Sequence, residues 1–381
     1  MKLLYIHNTL PEYRYGFFRE LNKKCDFTIA FSDFNLGENV YKEKITHDRL
    51  CEFKNIIFLK HQLKQDTNIL ESLIRKNNYD LIIFPALDDI YSIMLSNKLM
   101  KVAKKFGICT GLFWEKWIAP VKKQPLYRIF KEIAQFFLTD KIIKNIDILW
   151  SPGRKTDEYF ALHNISINEL HRIHDSSVCS KNVVVDIKKK YHIPDDSHVF
   201  LYLGRLVDYK GADVLIKAFA QMKNVNNSCY LIIAGFGPKE QEYKEFVEKN
   251  SVKNVVFTGF VESSLRASFY EACDVFVLPT KIYKGKIEAW GLTINEAMQF
   301  CKVVISTTAV ASAQELISKD NGFIVEENNV QDLKNALEIS ITNDLKKSAF
   351  IEDNKIISMY SYKRMAEDII TGWKNEINTL I

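Results

Sequence analysis

Apolar runs of strand length alternate with segments of helical spacing from one end of the chain to the other. Leu3–Ile6, Phe27–Phe31, Asn55–Leu59, Leu81–Pro85, Ile108–Trp114 and Ile146–Trp150 read as strands of one layer. Val199–Leu203, Tyr230–Ala234, Val255–Thr258, Val275–Leu278 and Val303–Ile305 read as strands of a second. Several are apolar at every position, the pattern of a parallel sheet covered on both faces. Ala212–Met222, Lys239–Lys249 and Ser264–Ala272 have the spacing of intervening helices, and the final stretch, Met359–Ile381, also reads as helical. Such alternation builds βαβ units, hence an α/β fold of two Rossmann-like, doubly wound domains. Turn-forming residues gather within Asp175–His198, so the expected division is 1–180 and 181–358, with 359–381 as a terminal helix. Ligands of such sheets sit beyond the carboxyl ends of the strands, and the expected site is a central cleft that the two domains face.

Length and composition narrow the partners. The 381 residues fit two domains. A formal charge of +5, without a recognised reading module, argues against nucleic acid. No apolar run approaches the roughly 20 residues that span a bilayer. Met1–Ile6 reads as a first strand and not as a signal peptide. Seven scattered cysteines, an odd number without a CxxC pair, fit a reducing, cytoplasmic compartment with thiols mostly buried.

Two clusters carry the chemistry. In Gly204-Arg205-Leu206-Val207-Asp208-Tyr209-Lys210-Gly211, a strand ends and a helix begins near Gly211. Cations are disfavoured at a helix N-terminus, so Arg205 and Lys210 crowded there suit a bound diphosphate, which backbone amides near Gly211 would also contact. A solvated loop with incidental charge is the alternative. Gly235-Phe236-Gly237-Pro238 is half of a dinucleotide fingerprint or a tight strand-to-helix turn. In the second cluster, Glu288-Ala289-Trp290-Gly291-Leu292-Thr293-Ile294-Asn295-Glu296, seven residues separate the two carboxylates, a spacing that reaches separate groups. Each could accept hydrogen bonds from a vicinal diol. For Glu296 a capping box, Thr293-x-x-Glu296, competes.

These segments, with Gln314-Glu315-Leu316-Ile317 and Asn321-Gly322-Phe323-Ile324-Val325, resemble the donor half of glycosyltransferase family 4, in its bacterial surface-polysaccharide branch. The resemblance is dense over roughly 196–340 and looser in the first half. It implies a GT-B fold whose terminal helix crosses back to the first domain. It implies a retaining transfer of sugar from a UDP- or GDP-linked donor to a saccharide or polyprenyl-diphosphate-linked acceptor, with no metal and no other cofactor. Arg205 and Lys210 match the diphosphate pair, Glu288 the carboxylate on the donor sugar and Glu296 the one on ribose. Gly204, Gly211, Gly235, Gly259, Phe260, Gly291, Leu292 and Thr293 fall on the donor side. The family's glycine-rich first loop is here Leu10–Gly16, with one glycine. Where many members have a cleft histidine, this chain has Phe113-Trp114-Glu115-Lys116-Trp117. His7, Arg14 and Glu115 are the acceptor-side candidates, Arg14 as an acceptor-phosphate contact. Asp88-Asp89 reads as a solvated loop, not a metal site. A nucleotide-sugar epimerase and a non-catalytic nucleotide-sugar sensor are the competing readings.

Residues 101–146 mix ten lysines and arginines with aromatic and aliphatic side chains, among them Trp117, Leu126, Tyr127, Phe130, Phe136 and Phe137. That composition suits peripheral contact with the anionic inner face of the cytoplasmic membrane.

Overall fold

The uninterrupted apolar runs are buried because each lies in a parallel sheet covered on both faces. The structure is a computed structural model that describes residues 1–34, 47–182, 184–222, 228–342 and 345–380. Contacts divide the chain into two units. The first comprises Met1–Trp117, Ile129–Ser176 and the chain from Ser361 onward; the second comprises Ile118–Arg128 and Ser177–Tyr360. Beside the expected 1–180, 181–358 and 359–381, residues 118–128 group with the second unit, the boundary falls at Ser176–Ser177, and the terminal segment starts at Ser361.

The first unit holds strands β1 (Lys2–His7), β2 (Asp26–Phe31), β3 (Asn55–Phe58), β4 (Leu81–Phe84), β5 (Cys109–Phe113), β6 (Ile148–Ser151) and β7 (Leu170–Arg172), in the order β3-β2-β1-β4-β5-β6-β7. The second holds β8 (His198–Leu203), β9 (Cys229–Ala234), β10 (Val255–Gly259), β11 (Val275–Leu278), β12 (Val303–Thr307) and β13 (Gly322–Val325), in the order β10-β9-β8-β11-β12-β13. The paired strands are parallel in both sheets. β8 shows how one run serves two cores: Val199, Leu201 and Leu203 pack into one cluster, Phe200 and Tyr202 into the other. The order reverses between β8 and β11, so the loops that leave these two strands part at their carboxyl ends and open a crevice.

Sequence reading misses β7 and β13. β7 has three residues, Leu-His-Arg, and β13 is a four-residue edge strand that begins at a glycine. Neither has an apolar run long enough to register. The terminal helix spans Tyr362–Leu380; Met359 closes the preceding helix, Leu345–Met359, and Ile381 lies outside the described residues. Met365, Ala366 and Ile369 of the terminal helix enter the first unit's core. Cys179, Cys229 and Cys273 are buried, Cys25, Cys109 and Cys301 are half-buried, and Cys51 is exposed, so fewer thiols are buried than expected. Among the described residues no helix is long and apolar enough to cross a membrane.

Asp353 is fully buried, with Oδ1 accepting from Asn321 Nδ2 (3.0 Å) and Oδ2 without a partner. Burial pushes its carboxyl up to about 8. The folded chain therefore holds a proton that the unfolded chain releases near pH 4. Stability from this group is complete below that pH and is lost as pH rises toward about 8. Asp353→Asn removes the dependence: its gain in unfolding free energy over wild type, seen as a higher melting temperature, should grow from pH 5 to pH 8, to on the order of a few kcal/mol at the upper end. Melting curves at the two pH values check this, and an equal gain at both would contradict it.

Candidate active site

The crevice between β8 and β11 gathers the two sequence clusters of the second unit. After β8 the chain makes a 3-10 turn, Asp208–Lys210, passes through Gly211 and enters the helix Ala212–Ala220. Gly211 has φ +73°, and a Cβ there would lie 1.9 Å from the carbonyl oxygen of Pro279, so only glycine lets this loop close on the one after β11. The backbone amide of Lys281 donates to Tyr209 O (2.8 Å) and completes the seam. The amides of Lys210 and Gly211 donate to Val207 O and Asp208 O (3.1 and 3.4 Å), so these two expected anion contacts are already engaged within the turn.

Lys210 Nζ donates to the carboxylate of Glu288. The pair is largely buried, with side chains 14% and 17% exposed. Burial alone would pull the Lys210 ammonium down, yet the Glu288 charge overrides it and holds the pKa above its ordinary value. Thr280 Oγ1 adds a long bond to Glu288 Oε2 (3.4 Å). The Glu288 backbone is fixed against β12's extension: its amide donates to Ala309 O (3.2 Å) and its carbonyl accepts from Ala311 N (3.4 Å). Arg205 is exposed, its guanidinium donating to Tyr209 Oη (3.0 Å). The predicted diphosphate pair therefore consists of one outward cation and one cation already neutralised by the other cluster's first carboxylate.

Glu296 lies deeper. It is 2% exposed, and its carboxylate accepts from Ser177 Oγ (2.7 Å), Arg266 Nη1 (3.2 Å) and Tyr270 Oη (2.9 Å). The capping box does not form, because the helix Leu292–Met298 begins one residue before Thr293, after Gly291 in a left-handed conformation. Leu292 and Thr293 are half-buried in its first turn. Sequence reading has no local signal for the three partners of Glu296, which stand 119, 30 and 26 residues away. Thr280, by contrast, could have been found from its place just past β11.

The first and second glycines of Gly235-Phe236-Gly237 serve close packing. A Cβ on Gly235 (φ +146°) would fall 1.8 Å from Gly204 O, and one on Gly237 2.3 Å from Leu206 O. Gly259 ends β10 and its carbonyl accepts from Gly235 N (2.9 Å). Just beyond, Phe260 is exposed and meets Phe236 edge to face, ring centroids 5.3 Å apart. An apolar ledge thus stands at the carboxyl ends of β9 and β10.

The first unit has a cluster of its own at the carboxyl edge of its sheet. Arg14, 4% exposed, donates to both Asp175 and Glu115 and lies 5.2 Å from the Phe113 ring centroid. Burial and the charge of Asp175 push the Glu115 carboxyl up, against the opposing pull of Arg14. Arg14 is therefore the core of a buried charge cluster and not a waiting phosphate contact, which corrects the sequence expectation. A buried guanidinium needs carboxylates, and Asp175, taken from sequence as a linker residue, supplies one. His7 Nδ1 lies 2.6 Å from Thr9 O, and burial followed by Arg14 pushes the imidazole down to about 4. It is neutral at physiological pH.

Residues 184–357 match the family described as Glycosyl transferases group 1. An uncharacterized glycosyltransferase of Haemophilus influenzae is 23% identical over 325 residues, covering 83% of this chain and 82% of the relative. The O-antigen chain mannosyltransferase C of Escherichia coli is 24% identical over 184 residues, covering 48% and 47%. Among solved structures, Anabaena HepE in complex with UDP superposes with TM-score 0.75 at 14% identity, covering 98% of this chain and 100% of that one. The lipopolysaccharide outer core galactosyltransferase WaaB, in its apo form, gives 0.72 at 15%, covering 100% of each. With two parallel Rossmann-like sheets and a matching donor-half sequence, this chain carries a group 1 glycosyltransferase domain and is a glycosyltransferase of the GT-B fold.

Proposed function

We propose that the enzyme moves a sugar from a nucleoside-diphosphate donor to a hydroxyl of a saccharide or lipid-linked saccharide, with retention, in the synthesis of a bacterial surface polysaccharide. The observation that carries the reading is the Lys210–Glu288 pair, set at the switch point of the second sheet beside an outward Arg205. A diphosphate reaching this crevice competes with Glu288 for Lys210. Once Lys210 turns to phosphate, Glu288 loses its counter-ion and accepts a hydroxyl of the donor sugar. The two cations then sit where negative charge grows on the departing diphosphate, the role that a bound metal ion plays elsewhere. The Phe236–Phe260 ledge offers an apolar face to the nucleobase. The buried partners of Glu296 make it a fixed acceptor at the rim of the ribose site. UDP bound to HepE and the mannosyl chemistry named for the E. coli relative favour a UDP- or GDP-linked donor. The names of the O-antigen and lipopolysaccharide enzymes favour the polysaccharide setting.

The same reading places the enzyme on the cytoplasmic face of a membrane. The helix Leu126–Ile143 is inverted: Glu132, Gln135 and Thr139 are buried, whereas Leu126, Tyr127, Phe130, Ile133, Phe137 and Leu138 are exposed. Glu132 and Gln135 accept from Lys116 Nζ (2.7 and 3.1 Å), so this lysine is internal and not part of a basic surface. Lys122, Lys131 and Lys141 are also exposed. Exposed large apolar side chains together with exposed lysines in this segment suit the interface of an anionic bilayer.

Arg205→Ala and Glu288→Gln should each lower transfer roughly tenfold or more while the fold survives, the melting temperature holding for Arg205→Ala and falling for Glu288→Gln, which leaves Lys210 short of its counter-ion. Release of UDP or GDP, screened across donors and lipid-linked acceptors, measures it. Wild-type rates in either variant would overturn the assignment, and epimerised donor without acceptor would favour an epimerase. Phe130→Ser combined with Phe137→Ser should abolish flotation with phosphatidylglycerol vesicles at low salt; undiminished flotation would remove the helix from the reading.

A further inference from the structure

Glu288 follows a loop that cannot hold its own shape. Tyr283 and Lys286 exchange backbone hydrogen bonds (3.3 and 2.9 Å) across Lys284 and Gly285, both of which have positive φ (49° and 73°). This is a two-residue reverse turn with no strands beyond it, and such a hairpin is marginal by itself. Its conformation depends on anchors outside the turn.

Three anchors are present. Lys281 N donates to Tyr209 O (2.8 Å), Ile282 N donates to Glu327 Oε2 (3.0 Å), and Gly285 N donates to Lys123 O (3.2 Å). The last two converge on one segment. Lys123 Nζ donates to Glu327 Oε1, and the Glu327 side chain is only 4% exposed. One carboxylate thus ties the strap 118–128 to the loop at Ile282, while the strap's own carbonyl ties it again at Gly285. The fit is close: a Cβ on Gly285 would lie 2.9 Å from Arg128 Cγ and 3.2 Å from Gln124 Cγ. All of these residues belong to the second unit, although the strap is drawn from the sequence of the first half.

We propose that the strap 118–128 is a positioning element of the donor site: through Lys123 it holds the 281–288 loop in the conformation that sets Glu288 beside Lys210. This rests on the reading of Glu288 as the group that grips the donor sugar. Without Lys123 the Glu327 carboxylate is a buried charge short of its partner. It relaxes by turning toward water, which takes the acceptor from the Ile282 amide, or by taking a proton, which leaves that amide a weaker neutral acceptor; in both cases the loop is held less firmly at Ile282. The diphosphate contacts on the β8 side do not pass through this chain of bonds.

Calorimetric titration of the full-length protein with UDP and UDP-glucose, and with GDP and GDP-mannose, separates the two halves of the site. Lys123→Ala and Glu327→Ala should leave nucleoside diphosphate affinity unweakened, since Glu288 then competes less for Lys210, while weakening the sugar nucleotide roughly tenfold, and Lys123→Arg should restore most of the loss. Equal weakening of both ligands, or of neither, overturns the inference. Glu288→Ala is the control. If it weakens the sugar nucleotide and the strap variants do not, the strap has no positioning role. If Glu288→Ala has no effect on the sugar nucleotide, the assignment of Glu288 itself fails.

Discussion

A buried ammonium needs a buried carboxylate, and in the second unit that requirement joins two loops that leave different strands. Lys210 is brought in by the turn after β8, Glu288 by the long loop after β11. Each would be costly to bury without the other, because desolvation outweighs what a lone charge gains. The pair therefore fixes the separation of the loops and keeps the crevice charged but neutral overall. On the proposed reading, an incoming diphosphate meets an opposite charge already in place, and its binding exchanges one carboxylate for another acidic group without exposing a bare cation to the interior.

Much of this was legible in the order of residues. The apolar runs located eleven strands because a doubly covered sheet leaves no polar position to confuse the pattern, and Gly204–Gly211 and Glu288–Glu296 are short stretches whose chemistry is local. What escaped was either short or distant. β7 and β13 have too few residues to carry a period. Asp175 was read as a linker because its partner Arg14 stands 161 residues away, and nothing near either residue announces a buried guanidinium. For Glu296 the neighbours offer a local cap as an alternative to a binding role, while its hydrogen-bond partners are remote.

The first unit shows how composition can name a region and misplace its chemistry. Basic and aromatic residues within 101–146 suggested a charged surface. In the structure one lysine of that set, Lys116, turns inward to satisfy Glu132 and Gln135, and the polar side of the Leu126–Ile143 helix becomes the buried side. Leu126, Tyr127, Phe130, Ile133, Phe137 and Leu138 lie on the outside, while Ile142 and Ile143 at the helix's end are buried. Hydrophobic periodicity alone cannot tell which side of an amphipathic helix faces the core; here buried hydrogen bonds decide it.

The glycine seam at Gly211, Gly235 and Gly237 has a consequence for how such an enzyme diversifies. A Cβ at any of the three would fall within 2.3 Å of a facing backbone carbonyl oxygen, of Pro279, Gly204 and Leu206 in turn. None of the three glycines can accept a larger residue unless that backbone retreats, so single changes at them are strongly resisted. On the proposed reading of the crevice, new donor preferences arise from the side chains that border it, such as Phe236, Phe260 and the residues ahead of Glu288. The frame of the pocket is inherited nearly unchanged while its lining is free to drift.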